Sequence, residues 1–586
     1  MQTKITLLLL CVFLLVAASV PAQCARQKGD LDLQGMTSLE LTWHMGNGIN
    51  LGNTMEAYGH KSLGTGADPA DYETLWGQPI TTPEMILAMK AAGFDSIRIP
   101  VAWTNTMNYE DGDYTISQAY LERVEEIVNY ALAADMFVII NDHWDGGWWG
   151  MFGSASRETR QNAMELFTAM WTQIGLHFRD YSHRLIFEVA NEELGTRLNE
   201  MSVALDSGYL SDDQTYRVTN QLNQKFVDLI RGQGGNNAGR FLLVAGFNTD
   251  IARTLDDRFQ MPTDSARDKL LLSVHYYTPW SYCGADSVNR WGTEQEYTTQ
   301  NELLGALTKF TRQGYGIILG EYGVLPKADG SLKHNSLDFL ANFHDNMELY
   351  GYVPMLWDTS SFFIRTELEI VDQGLASFFK ERSLKARSSL SRQQIKDNAK
   401  ASMAAALELA KERDQEAGPV LGATGEAVAW IMFDSGDYQI TYSVGDVYSP
   451  TSKTEGVIAS DVIVSGAGTY TVGLDFTKTN VGYASSITFS AVGIAHGELL
   501  FPGYIIDIKK ILVNGEPYNM RRRPYTTADD GICTRVNLYN EWVTAIPDNI
   551  RVINPNWRPY VSATLLDKRN LGRIESIEVV FDYFAR

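Results

Sequence analysis

Eight short apolar runs recur between residues 37 and 380 of this chain, at 49–51, 96–100, 136–141, 185–188, 241–245, 271–275, 315–319 and 352–357. Most are separated by stretches of helical periodicity, at 82–92, 117–134, 160–178, 215–231, 302–313 and 336–350. Short runs that are apolar on both faces read as strands of a parallel sheet covered on both sides. Parallel neighbours cannot be joined by a hairpin; they need a crossover, usually a helix. Eight such units in about 340 residues predict an α/β fold, a (β/α)8 barrel with some long loops. A doubly wound open sheet is the rival. No glycine-rich phosphate loop follows the first run, which argues against it.

The rest of the chain divides by composition. Residues 1–25 read as a secretory signal, with Lys4, an apolar run from Ile5 to about Ala18, and small residues near Ala22 and Ala25. The run is short for a membrane span, and no later segment is long and apolar enough for one. Cys24 admits a lipid anchor, but Pro21-Ala22-Gln23 is a poor lipobox, so a secreted chain without an anchor is expected. The barrel domain then covers 26–381. Helix formers dominate 392–411, where Ile395, Ala399, Met403 and Leu407 recur every fourth residue. They predict a helical connector over 382–418 that packs on one neighbour, with a last helix of the barrel as the alternative. From 419 to 586 alternating segments at 438–444, 469–476, 486–492, 505–508 and 576–581 predict an all-β sandwich.

The formal charge of −22 disfavours nucleic acid and anionic membranes as partners, since phosphates call for Lys and Arg. A neutral substrate is compatible with it. Of four cysteines, Cys11 and Cys24 lie in or beside the signal and Cys283 and Cys533 in different domains. Neither a disulfide framework nor a CxxC metal signature follows.

Two of the apolar runs lead into acids, Glu192 after the fourth and Glu321 after the seventh. An Asn-Glu pair alone says little: the chain has four, and only Asn191-Glu192 follows a strand of the βα region directly. Each acid could be a helix N-terminal charge or a solvated loop residue. Other strand exits weigh against that. Arg98 lies inside the second run and would seek a carboxylate, because a guanidinium cannot shed its charge. His143 follows the third run, His275 and Tyr277 the sixth, and Trp357 ends the eighth. In a barrel these side chains converge on one cleft at the C-terminal face.

Six segments carry a resemblance: 45–56, Glu73 to Pro79, 97–101, Asn191-Glu192, His275-Tyr-Tyr277 and Gly320-Glu321-Tyr-Gly. In this order they resemble the glycoside hydrolase family five endoglucanases, in the branch with bacterial β-1,4-glucanases and xyloglucanases. The resemblance implies a TIM barrel and a retaining endo-β-1,4-glucanase, with Glu192 as acid/base and Glu321 as nucleophile. It implies supporting roles for Arg98, His143, Asn191, His275, Tyr277 and Trp357, and places Asn53 among the substrate-binding residues. No metal or organic cofactor is needed. The partner is a β-glucan polysaccharide, cellulose-like, mixed-linkage or xylose-branched, and a monomer is expected. A β-mannanase of the same fold and a catalytically inactive glycan-binding protein are the alternatives.

Two departures stand out. The family usually has Pro after the acid/base glutamate, where this chain has Glu193, expected to point away from the cleft. Many relatives have a second His where this chain has Trp144. Sugar rings pack their C–H faces on aromatic rings, and Trp76, Trp144, Trp148, Trp149, Trp280 and Trp357 lie near loops or strand ends. The Trp148-Trp149 pair, flanked by Gly146, Gly147 and Gly150, is the leading subsite candidate; capping of the barrel core is its alternative. The C-terminal domain resembles carbohydrate-binding modules in general character only. Trp430, Trp542, Trp557 and Tyr560 are its candidate platforms, although core packing is the expected role of any one of them, and a purely structural domain is the alternative.

Overall fold

A computed structural model of the chain describes residues 32–284, 291–327, 330–417, 425–435, 439–441, 448, 456–528, 531–543, 546–547 and 549–585. The signal read at 1–25, with Cys24, lies outside these residues, as does most of the run at 438–444. Among the described residues no helix is long and apolar enough to cross a membrane.

Eight parallel strands form a closed barrel in sequence order: β1 (Gly48–Asn50), β2 (Ser96–Ile99), β3 (Phe137–Ile140), β4 (Leu185–Glu188), β5 (Leu242–Ala245), β6 (Leu270–Tyr276), β7 (Gly316–Tyr322) and β8 (Val353–Leu356). Closure is by β1, which pairs with both β2 and β8. All eight expected runs are strands. The seventh extends past its expected end, so Glu321 lies inside β7 and not just beyond it.

The intervening helices are α1 (Pro83–Ala91), α2 (Gln118–Ala133), α3 (Arg157–His177), α4 (Asp212–Gly232), α5 (Ile251–Thr254), α6 (Glu294–Ala306) and α7 (Ser336–Tyr350); α8 (Gln373–Glu381) follows β8. Their starts are written locally. Thr82 caps α1 ahead of Pro83, and Ser211 with Gln214 forms a capping box on α4. Helix α6 begins eight residues before the expected 302, at a capping box of Thr293 and Glu296 whose sequence signature was legible.

Side chains alternate along each strand. In β3, Phe137 and Ile139 face the barrel interior with Ile186, Leu243, Leu271, Ile318 and Met355, while Val138 and Ile140 pack outward under the helices. Leu41 and Met45, from a helix at Ser38–Met45, complete that inner cluster. Interior positions elsewhere on the strands are polar: Asn50, Arg98, Asn141, Glu188, Ser273 and Glu321 are all buried. A hydrophobic plug thus shares the barrel with a charged network, and the network is the site.

Helix α9 (Arg392–Ala417) packs on α6 and α7. Ala399 and Met403 of the expected stripe are buried, and Ala410 joins the core of the barrel. This segment, expected to pack on one neighbour, lies against two helices on the barrel's outside.

After it come two antiparallel sheets. One has the order β10 (Gln439–Thr441), β9 (Val428–Asp434), β13 (Phe489–Ala495), β15 (Thr534–Asn540). The other has β11 (Ile458–Ser460), β12 (Gly468–Asp475), β16 (Ser576–Ala585), β14 (Tyr504–Val513). Ile431 and Phe433 of the first sheet share a core with Val472, Ile508 and Phe581 of the second. The expected segments did not include β9. It is apolar from Val428 to Phe433 because Trp430 and Met432 pack on a separate cluster on its other face, and so it lacks the alternation of a half-buried strand.

Candidate active site

Arg98 organises the C-terminal end of the barrel. It is fully buried on β2. Its Nε donates to Glu188 Oε2 (2.6 Å), Nη1 to Asn50 Oδ1 (2.9 Å) and Glu321 Oε1 (3.1 Å), and Nη2 to Asn191 Oδ1 (2.8 Å). One guanidinium therefore ties β1, β4 and β7 to β2. Glu188 is satisfied further by Asn141 Nδ2 (3.0 Å) and Ser273 Oγ (2.7 Å). A buried charge is tolerable only with such pairing. Glu188 carries no role in the sequence reading. Its only signal is that Arg98, inside an apolar strand, must have a carboxylate partner nearby.

Glu321 and Glu192 face each other across this network. Glu321 is 6% exposed. Its Oε2 accepts from Tyr277 Oη (3.1 Å), and His143 Nε2 lies 3.9 Å from its Oε1. Glu192 is half-buried in the loop after β4, with Oε1 3.0 Å from His275 Nδ1 and Oε2 accepting from Arg197 Nη2 (2.9 Å). One oxygen of each acid and a ring nitrogen of His275 all lie within 4.8 Å of one another. A register shift between β6 and β7 sets this up: Val274 opposes Leu319 but His275 opposes Glu321, leaving Gly320 bulged. A Cβ at Gly320 would sit 2.9 Å from Ser273 Oγ and 3.0 Å from His275 Nε2, so the bulge requires glycine.

The two acids are pulled in opposite directions. Burial raises Glu192, but the hydrogen bond and charge of His275, with Arg197 and Arg98, outweigh it and hold the carboxyl below its ordinary value. Burial raises Glu321, helped by the charge of Glu192 and resisted by His275 and Arg98, and leaves it above its ordinary value. Burial, with the guanidinium charges of Arg98 and Arg197 nearby, holds His143 well below its ordinary value. Burial and the two glutamates hold Tyr277 well above the usual phenol range, so it stays a hydrogen-bond donor.

The structure brings together Arg98, His143, Asn191, Glu192, His275, Tyr277 and Glu321. Trp357 stands beside them, its ring stacked on His143 at 5.4 Å and 7°. Asn53 is half-buried at the exit of β1 in a left-handed conformation. Trp144 is half-buried, edge-on to Tyr58 at 5.6 Å, and Trp280 is 61% exposed, edge-on to Tyr277 at 5.9 Å.

Two expectations fail. Trp148 and Trp149 are fully buried, stacked at 4.4 Å, and both donate Nε1 to Asp142 Oδ2 (3.2 and 2.9 Å). They cap the core and offer no face to a sugar. The flanking glycines do not mark an exposed loop: a Cβ at Gly150 would collide with the Glu200 carbonyl, so the run is glycine-rich because the loop after β4 presses on it. In the C-terminal sheets Trp430 is likewise buried, whereas Trp542 and Tyr560 are exposed and Trp557 lies under the Arg523 guanidinium at 3.8 Å. Glu193 does not point to solvent. It is 1% exposed and accepts from the Trp144 backbone N–H (2.9 Å), whose residue is also left-handed.

Burial, opposed by Arg197 and reinforced by Glu192, pushes Glu193 from 4.5 to about 7. Its folded value lies above its unfolded one, so the folded chain binds the extra proton between them. The associated stability is complete below about 4.5 and is lost as pH rises through about 7. The expected result is that wild type loses melting temperature from pH 5 to 8 more steeply than Glu193→Gln, with an upper bound on the difference on the order of 3 kcal/mol. Parallel melting curves would contradict it.

The cellulase (glycosyl hydrolase family 5) model matches residues 58–362, which include both Glu192 and Glu321. Endoglucanase A of Paenibacillus barcinonensis is 32% identical over 375 residues, covering 59% of this chain and 88% of its own. A xyloglucan-specific endo-beta-1,4-glucanase of Bacteroides ovatus is 34% identical over 358 residues, covering 57% of this chain and 68% of its own. Among solved structures, a Bacteroides ovatus GH5 xyloglucanase in complex with a XXXG heptasaccharide superposes with TM-score 0.51 at 30% identity, over 60% of this chain and 77% of that one. The chain belongs to glycosyl hydrolase family 5, the cellulase family.

Proposed function

We propose that this chain is a secreted, retaining endo-β-1,4-glucanase in which Glu321 is the nucleophile and Glu192 the acid/base. One observation carries the reading: one oxygen of Glu192 and one of Glu321 lie within 4.8 Å of each other. Retaining glycosidases place their carboxyl groups about 5–5.5 Å apart, inverting ones about 6.5–9.5 Å, with room for a water between. In the first step Glu321 attacks the anomeric carbon while Glu192 protonates the departing oxygen. In the second, Glu192 takes a proton from water, which displaces Glu321. Arg98 and Tyr277 stabilise the Glu321 carboxylate as it attacks and is released. Asn191 Oδ1 is held by Arg98, which leaves its Nδ2 to donate to the sugar 2-hydroxyl, a contact that strengthens in the oxocarbenium-like transition state. Trp357, Trp144 and Trp280 are the ring faces for sugar stacking. Exposed Trp542 and Tyr560 are those of the C-terminal sheets, which we assign to glycan binding.

The relatives' names point to glucans, and a reducing-sugar assay on carboxymethylcellulose, lichenan, xyloglucan and glucomannan tests the assignment. Release from the β-glucans is expected. Release from mannans alone would sink the glucanase reading, and no release on any substrate would sink the enzyme.

A further inference from the structure

A cleft of about 440 Å³ opens beside Glu192, lined by Trp144, Thr196, Arg197, Asn199 and Glu200. Its chemistry is one half-buried indole among a guanidinium, a hydroxyl, an amide and a carboxylate, which suits a neutral, hydroxyl-rich ring. Asn199 is committed to the Leu210 backbone on both sides of its amide, and Thr196 Oγ1 to Asn248. The polar donor of the lining that remains to meet a ligand is Arg197, whose side chain is 40% exposed. Arg197 also donates to Glu192 Oε2, the oxygen not facing His275. Glu321 does not line the cleft. If Glu321 attacks the sugar that stays, the cleft on the far side of Glu192 receives the sugar that leaves.

We propose that this cleft binds the leaving-group sugar of the glucan, and that Arg197 is a positioning residue that exchanges Glu192 for a hydroxyl of that sugar when substrate spans the cleavage point. The proposal rests on the reading of Glu192 as acid/base. While paired with Glu192, Arg197 favours its ionised form, which cannot protonate a leaving oxygen. Drawing Arg197 off raises the proton affinity of Glu192, which takes a proton from solvent and holds it for the leaving oxygen: one O–H bond to the donor breaks and one to Glu192 forms. The groups facing Glu192 are His275 and Tyr277 from β6 and its exit, Glu321 from β7, Arg98 from β2, and Arg197 and Glu193 from its own loop. Arg197 is the one among them that also lines the cleft. The opposite displacements of the two acids agree with this arrangement.

The test uses the full chain with Arg197→Ala and Arg197→Lys on a soluble mixed-linkage glucan, following kcat/KM and kcat against pH. The first reports the free enzyme, the second the complex. Wild type should show its basic limb at higher pH in kcat than in kcat/KM. Arg197→Ala should raise the kcat/KM limb by on the order of half a pH unit, as befits a half-exposed ion pair, close the gap to kcat, and raise KM several-fold. Arg197→Lys should restore much of the gap. KM for a nitrophenyl β-cellobioside, whose leaving group is not a sugar, should stay put. An unmoved kcat/KM limb, or equal shifts of both limbs, would overturn the exchange. Glu192→Ala assayed alongside separates the two readings: full activity on the glucan would remove the acid/base beneath the proposal, while its loss with an unmoved Arg197→Ala limb would remove only the role of Arg197.

Discussion

Glu192→Ala is expected to lower kcat on polymeric β-glucan by about 10²–10⁴-fold, the usual contribution of a positioned general acid. The same variant should release dinitrophenolate from 2,4-dinitrophenyl β-cellobioside at nearly the wild-type initial rate, because that leaving group departs without a proton. Turnover would then stall at the glycosyl-enzyme, since the base that activates water is gone. The contrast between substrates is the informative quantity. Among the described residues the half-buried Glu192 carboxylate hydrogen-bonds with His275 and Arg197, so its loss leaves the Arg98 network intact. An equal loss on both substrates would mean that Glu192 does something other than supply a proton.

Arg98→Met should be the most damaging single change for stability. Methionine fills the volume of the side chain but leaves Glu188 buried without its cation, and Glu321 and Asn191 without their donor. Breaking a buried pair by removing one partner typically costs about 3–5 kcal/mol. A fall in melting temperature on the order of 10 °C is expected. Glu188→Gln in the same chain should recover part of the loss, because it removes the orphaned charge; additive losses would show that the two do not act as a unit. Activity should not return with stability, since Glu321 still lacks the guanidinium. A stable, active Arg98→Met would contradict the network described for the barrel mouth.

Much of this was legible in the chain itself. The eight runs could be read because a strand buried on both faces is apolar throughout, and the acids at the fourth and seventh stood out because charge at a strand exit is costly without a task. Glu188 was hidden for the same reason: it ends an apolar run two residues before Ala190 and looks like punctuation, although Arg98 already required a carboxylate. Arg197 carries no signal, because its partner is fixed by how an irregular loop folds back after β4. The Trp148-Trp149 pair misled because glycines mark both exposed turns and close backbone approach. Only the packing of the loop carrying Glu200 decides between them. In the C-terminal region β9 escaped for the opposite reason to the barrel strands. A continuous apolar run within an alternating pattern has no period to detect until its second cluster, around Trp430 and Cys533, is seen.

The central claim is that two carboxylates within 4.8 Å divide the work, Glu321 attacking and Glu192 moving protons. The anomeric configuration of the azide product answers it. Incubating Glu192→Ala with 2,4-dinitrophenyl β-cellobioside and sodium azide should restore turnover and give cellobiosyl azide, whose configuration proton NMR reads from the anomeric coupling. The β-azide, formed by azide attacking from the face opposite Glu321, through the space that truncation of Glu192 opens, is the predicted product. The α-azide would exchange the roles of Glu192 and Glu321, and turnover unchanged by azide would remove the covalent intermediate altogether.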